Sequence, residues 1–111
     1  MTKHSANLDL IFQALSDPTR RAFLARMADG PLSVSDLAQP TGFSLPTILR
    51  HLDVLETAAL ISTSKTGRTR LCHARPETLA ATADWLAEQR NLWEARTDRL
   101  EAFAATLMQE T

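Results

Sequence analysis

The chain has 111 residues, enough for one domain and too few for two ordinary ones. Twelve Lys and Arg stand against thirteen Asp and Glu, so the formal net charge is -1, which excludes a polycation that coats nucleic acid or anionic membrane indiscriminately. The 44% hydrophobic and 23% charged residues fit a soluble folded protein rather than a disordered one, and a lone cysteine, Cys72, excludes a disulfide framework and a cysteine-built zinc site.

The first 15 residues interrupt their apolar positions with Asp9 and Gln13, unlike a signal peptide. No apolar run approaches the roughly 20 residues needed to span a bilayer. A cytoplasmic chain with no membrane partner is expected. Leu8, Ile11, Phe12 and Leu15 fall at i, i+3, i+4 and i+7, one face of a short first helix. Ser16-Asp17-Pro18 then stops that helix and starts the next. Asp17 can cap the free N–H groups, and Pro18 suits the first helical position, where no N–H partner is required. The second helix is expected to carry Ala22, Phe23, Met27 and Ala28 inward and Arg20, Arg21 and Arg26 outside, and Asp29-Gly30-Pro31 ends it.

Ser33 or Ser35 caps a short third helix, from 35 to about 39. The turn Pro40-Thr41-Gly42-Phe43 follows. Ser44 caps a fourth helix with Pro46 in its first turn and an apolar stripe of Ile48, Leu52, Leu55 and Ala59. Two short helices around such a turn make a helix-turn-helix pattern. The β-branched stretch from 61 to 66, Gly67, and a second extended run from 68 to 74 predict a β-hairpin with Gly67 at its tip. A hairpin directly after the second helix of a helix-turn-helix is a winged helix, a much narrower reading.

From 77 to 108 the chain has no Gly or Pro, and Leu79, Leu86, Trp93, Leu100 and Leu107 recur every seven residues. Ala83, Trp85, Leu92, Phe103 and Ala104 join that seam. One helix over this span would be about 48 Å long, against a radius of gyration near 13 Å for a compact domain of this size. It must project, bend, or pack on another subunit. A homodimer joined through Leu79, Leu86, Trp93, Leu100, Phe103 and Leu107, with Leu8, Ile11 and Phe12 of the first helix, is expected. The alternative is a break near Glu88-Gln89-Arg90-Asn91 that folds the two halves onto their own domain.

These residues carry a resemblance. Leu15-Ser16-Asp17-Pro18-Thr19-Arg20-Arg21 followed by Leu32-Ser33-Val34-Ser35-Asp36-Leu37-Ala38 resembles the opening of ArsR/SmtB-type winged-helix repressors. So do Arg50-His51-Leu52-Asp53-Val54-Leu55-Glu56, Ala59-Leu60-Ile61 and the wing Gly67-Arg68. The similarity runs from about 8 to 76. It implies a dimeric bacterial transcriptional regulator, usually a repressor that an effector releases from double-stranded operator DNA. The expected fold is mainly α: a winged helix-turn-helix with a two-stranded β-wing and a long C-terminal dimerisation helix. It forms one domain over 1–111, with a DNA-binding core over 8–75 and the dimerisation helix over 76–108.

Family members that sense metalloids carry Cys-Val-Cys where this chain has Ser33-Val34-Ser35, and hydroxyls are poor ligands for soft metals. The other common family site uses a carboxylate and histidines on the last helix, yet none of His4, His51 and His73 lies there. No metal and no cofactor is therefore expected, and the effector is not readable. Trp85 and Trp93 either line a small-molecule pocket or serve as interface core.

In the fourth helix, Ser44 can bond a phosphate at the N-terminus, next to Pro46, while Thr47 and Arg50 share the face opposite Ile48, Leu52 and Leu55. Arg50 suits bidentate contact with guanine O6 and N7, or else a phosphate or plain solvent. His51 either reaches a phosphate or packs near the core. Leu45 and Leu49 stand where the family usually has polar residues, often Gln and Ser. Either they widen the buried stripe, or at least Leu49 touches a thymine methyl. Lys65, Arg68 and Arg70 around Gly67 would contact phosphate or enter the minor groove. Cys72 is either a small buried filler or, with Arg70 and His73 near it in sequence, a redox-sensitive thiol.

The charge is divided unevenly along the chain. Between 41 and 75 five basic residues stand against two acidic ones, a local +3, whereas from 76 to 111 three stand against seven, a local -4. A DNA-binding repressor explains the helix-turn-helix, the basic wing and the apolar seam together. The alternative is a winged-helix protein-interaction module without DNA binding, which leaves the grouping of Arg50, Lys65, Arg68 and Arg70 unexplained. An enzyme has no support: there is one Cys, no glycine-rich phosphate loop, and no Ser-His-acid spacing that this fold would bring together.

Overall fold

The computed structural model describes residues 3–110. The chain runs through α1 (Lys3–Leu15), α2 (Pro18–Arg26), β1 (Leu32–Ser33), α3 (Val34–Ala38), α4 (Leu45–Thr57), β2 (Ile61–Thr66), β3 (Thr69–Ala74) and α5 (Pro76–Glu110). Single 3-10 turns extend α2 over Met27–Asp29 and α3 over Gln39–Thr41. Two units divide at Leu79 and Ala80. The first holds everything from α1 to the opening turn of α5, and the second is the rest of that helix.

The junction between α1 and α2 is held by short-range capping. The Asp17 carboxylate accepts the Arg20 N–H at 3.1 Å, with Pro18 in the first turn of α2. The free carbonyls at the end of α1 are taken up by arginines of α2. Arg20 donates to Ala14 O and Gln13 O at 2.8 and 3.0 Å, and Arg21 donates to Leu15 O at 2.6 Å. Arg26 likewise donates to Leu37 O and Asp36 O at the end of α3. The three arginines expected simply to face outward are thus clamps on helix ends, where the backbone leaves unpaired acceptors.

The core consists of Ile11 and Ala14 from α1, Phe23 from α2, Met27, Leu37 from α3, Ile48, Leu52 and Leu55 from α4, then Ala58, Leu60, Ile61 and Cys72. Phe23 and Met27 point inward as expected, but Ala22 and Ala28 are exposed. The nine-residue α2 buries only a narrow stripe, and the half-buried Leu24 supports it. Ile11, expected at a subunit contact, lies in this core, because α1 turns Ile11 and Ala14 inward together. Ala59, expected on the α4 stripe, is exposed.

Ala59 instead ends α4 in the left-handed region, at φ 60°. Its N–H bonds to Glu56 O at 2.9 Å, and the Leu60 N–H bonds to Leu55 O at 3.0 Å. That pair of bonds is the Schellman arrangement, usually built on glycine. It turns the chain directly into β2.

The sheet has three strands, one more than the sequence suggests, in the order β1-β3-β2. β2 and β3 pair antiparallel from Ile61↔Ala74 to Thr66↔Thr69. Leu32 and Ser33 add a two-residue edge opposite Cys72 and Leu71, which ties the start of α3 to the wing. At the hairpin tip Gly67 takes φ 62°, the positive angle that a two-residue loop with glycine first requires.

α5 is one unbroken helix of 35 residues, about 52 Å at 1.5 Å per residue, with no interruption at 88–91. Within it Leu79, Leu86, Trp93, Leu100 and Leu107 are between 42% and 65% exposed, alongside the equally exposed Leu92 and Phe103. Thr82 is the buried residue of this helix. No helix of the described residues is long and apolar enough to cross a membrane.

Candidate nucleic-acid interface

The site starts where α4 begins. Thr41 Oγ1 donates to Ala38 O at 2.6 Å and accepts the Phe43 N–H at 3.1 Å. Gly42 takes φ 69° between them, so the turn from α3 to α4 is tightly defined. Ser44 has the extended backbone of a cap, but its hydroxyl pairs with Thr47 Oγ1 at 3.0 Å and makes no cap hydrogen bond to the first turn. The backbone N–H groups there stay open to an outside acceptor such as phosphate. Ile48, Leu52 and Leu55 fill the core from one side of α4. On the outer side Leu45 is 57% exposed and Leu49 36%, with Pro46 and Arg50 also exposed and Thr47 half-buried.

The wing supplies cations. Lys65 and Arg70 are register partners across the hairpin, and Arg68 sits beside Gly67 at its tip. A shallow basic concavity is lined by Thr63, Ser64, Lys65, Arg68 and Arg70. Arg70 is partly restrained, 4.0 Å from the Glu56 carboxylate and 3.4 Å from Thr63 Oγ1, while Thr63 Oγ1 donates to Glu56 at 2.6 Å. Among the described residues no protein partner holds Arg50, Lys65 or Arg68.

The two parts meet. One open groove of about 460 Å³ is lined by Leu45 and Leu49 of α4, by Arg68, Thr69 and Arg70 of the wing, and by Ser33, Val34 and Ser35. The start of α4 and the wing arginines therefore face one common surface. Thr69, and the segment 33–35 as part of that surface, were absent from the sequence expectation. Of these only Ser33 lies on β1, a two-residue strand too short to show periodicity.

His51 is held differently from its neighbours. Arg20 Nη1 donates to His51 Nδ1 at 3.1 Å. The ring meets Phe23 edge-on at 6.5 Å between centroids and lies 6.4 Å from the Phe43 ring. Asp17 Oδ2 is 3.9 Å away. Desolvation pushes the Asp17 carboxyl up, but the Arg20 N–H, the adjacent His51 ring and the Arg20 guanidinium together outweigh it and hold the group below its ordinary value. His51 thus packs between α2 and the start of α4, half-buried behind the exposed face.

Comparison with known proteins agrees with this geometry. Residues 15–63 match the helix-turn-helix domain family. A transcriptional regulator of Mycobacterium tuberculosis, Rv2034, is 44% identical over 73 residues, which cover 66% of this chain and 68% of the relative. The transcriptional repressor SdpR of Bacillus subtilis is 38% identical over 58 residues, 52% of this chain and 64% of that one. Among solved structures, an ArsR family transcriptional regulator superposes with TM-score 0.78 at 47% identity, covering 85% of this chain and 97% of its own. This chain belongs to the ArsR family. An ArsR-like regulator from Rhodococcus sp. RHA1 superposes with TM-score 0.83 at 30% identity, covering 93% and 97%. The protein is accordingly a DNA-binding transcriptional regulator with a winged helix-turn-helix fold.

Three further features of this ArsR-family member bear on metal and redox chemistry. Ser33, where metalloid-sensing relatives have cysteine, caps α3 by accepting the Asp36 N–H at 3.0 Å. Among the described residues no group of three or more His, Cys, Asp or Glu side chains could hold a metal ion. Cys72 is buried in β3, and its thiol pKa is pushed up by that burial, which the Arg70 charge offsets only in part. A buried thiol with a raised pKa is the filler, not the redox alternative.

Proposed function

We propose that this ArsR-family chain is a homodimeric repressor that inserts the start of α4 into the major groove of operator DNA and lays its wing on the adjoining backbone. The observation that carries the reading is the shared groove in which Leu45 and Leu49 meet Arg68, Thr69 and Arg70. Base recognition falls to Arg50, exposed and without a partner among the described residues, through guanine O6 and N7. The open N–H groups after Ser44, with the Ser44 and Thr47 hydroxyls and Pro46 fixing the entry, receive a phosphate. Lys65, Arg68 and Arg70 neutralise phosphates at the wing or enter the minor groove.

The subunit seam is the exposed apolar row Leu79, Leu86, Trp93, Leu100, Phe103 and Leu107 of α5. A row of that length is unlike the scattered apolar residues of an ordinary surface. On α1, the exposed Phe12 and half-buried Leu8 are further candidates for subunit contact. Release from DNA is assigned to an effector other than a metal, consistent with hydroxyls at Ser33 and Ser35. The chain works in the cytoplasm, where the genome is, and has no catalytic role.

A footprint of the purified protein on its own upstream region, at several salt concentrations, tests the proposal. An inverted repeat with half-sites about one helical turn apart, or a multiple of it, is expected. No protection of any sequence at any salt would overturn it in favour of a protein-interaction module.

A further inference from the structure

The sequence leaves two uses for Leu45 and Leu49, and the structure removes one of them. The buried stripe of α4 is complete without them: Ile48, Leu52 and Leu55 fill it, while Leu45 and Leu49 stay 57% and 36% exposed. Being four apart, they form one short apolar ridge with Cβ atoms about 5–6 Å apart. That ridge lies in the groove whose other wall carries Arg68 and Arg70. A ligand seated there meets apolar and cationic surface at once. The +3 charge over 41–75, with Arg50, Lys65 and Arg68 unpaired among the described residues, favours a polyanion, duplex DNA, over an apolar protein partner.

On the base edges of the major groove the apolar feature open to such a ridge is the thymine C5-methyl group. We propose that Leu45 and Leu49 are specificity residues that read the methyl groups of thymines one or two base steps apart in each operator half-site. Successive bases on one strand rise about 3.4 Å, so a ridge of about 5–6 Å reaches that far and little farther. Arg50, one residue on and exposed, reads a guanine beside them. The inference rests on the DNA-binding reading above and names the bases it selects.

The test uses the full chain and two kinds of duplex. Binding-site selection from a random pool supplies an enriched site, and each thymine of one half-site is then replaced singly by deoxyuridine, which removes the methyl and nothing else. With the unmodified protein, one or two replacements should weaken binding about four-fold each, the worth of one buried methyl-sized group. In Leu45→Ala or Leu49→Ala, which alter exposed side chains, the same replacement should no longer matter. Tight binding to the enriched site with no sensitivity to deoxyuridine anywhere would overturn the inference and leave the repressor reading intact. So would an enriched half-site without thymine, or unchanged sensitivity in both alanine variants. Enrichment of no sequence at all would overturn the DNA-binding reading and this inference with it.

Discussion

Single residues divide into those that hold the fold and those proposed to contact DNA, and the division is not the one that charge suggests. Arg20, Arg21 and Arg26 look like surface cations in the sequence, yet each donates to helix-end carbonyls. Such partners lie six to eleven residues away, beyond any local pattern. Arg50 and Arg68 have no such duty among the described residues. Asp17 is the residue with the clearest pH consequence. Its carboxyl pKa is held below the ordinary value, so the stability it contributes is present above its unfolded pKa of about 3.9 and is lost as pH falls through the folded value. Asp17→Asn keeps a capping oxygen but removes the charge. The melting temperature of the variant should therefore fall less steeply than that of the parent below about pH 4, with thermal melts across that range as the check. Cys72 gives a second expectation. Its buried thiol should react with a disulfide reagent only as fast as the fold opens, and added denaturant should bring the rate up to that of a free thiol.

At the scale of elements, those with a strong local signal were legible in the sequence. The cap-and-proline start of α2, the Gly42 turn, the 48-52-55 stripe of α4 and the Gly67 hairpin all stand where the residues indicate. β1 was not legible, because two residues have no periodicity and exist as a strand only through pairing with β3. The candidate interface was half legible. Its residues on α4 and the wing could be named from type and position, but their meeting in one groove depends on packing that no local pattern carries. The end of α4 shows a different departure. Ala59 occupies a left-handed conformation that costs a residue with a Cβ about 1–2 kcal/mol. Glycine escapes that cost but loses about 0.5–1 kcal/mol more in backbone freedom on folding, so Ala59→Gly should be stabilising by a net of about 0.5–1 kcal/mol. The denaturant midpoint should rise with an unchanged slope. A lower midpoint would mean that the Ala59 methyl is needed for packing.

For the whole molecule, the near-zero net charge conceals a basic reading segment and an acidic helix. The sequence also showed the seven-residue apolar repeat of α5 but could not decide whether the helix breaks at 88–91; it is continuous. An uninterrupted row of exposed Leu, Trp and Phe on that helix leads to the expectation of a dimer in solution. Trp93→Glu combined with Leu100→Glu places two charges in the row, and light scattering should then report the mass of a single chain in place of twice that mass. An unchanged dimer would move the seam elsewhere.

In the proposed division of labour, α4 supplies sequence recognition and the wing supplies salt-dependent affinity on one surface. Binding of the parent, Arg50→Ala and Arg68→Ala to a selected operator and to a scrambled duplex, across a salt series, tests it most directly. Arg68→Ala should weaken both duplexes by the same factor and lower the slope of log K against log salt by about 0.9 for each phosphate that is no longer neutralised. Arg50→Ala should weaken the operator by about 1–3 kcal/mol more than the scrambled duplex. Equal losses on the two duplexes for Arg50→Ala, with an operator-only loss for Arg68→Ala, would overturn that division between α4 and the wing.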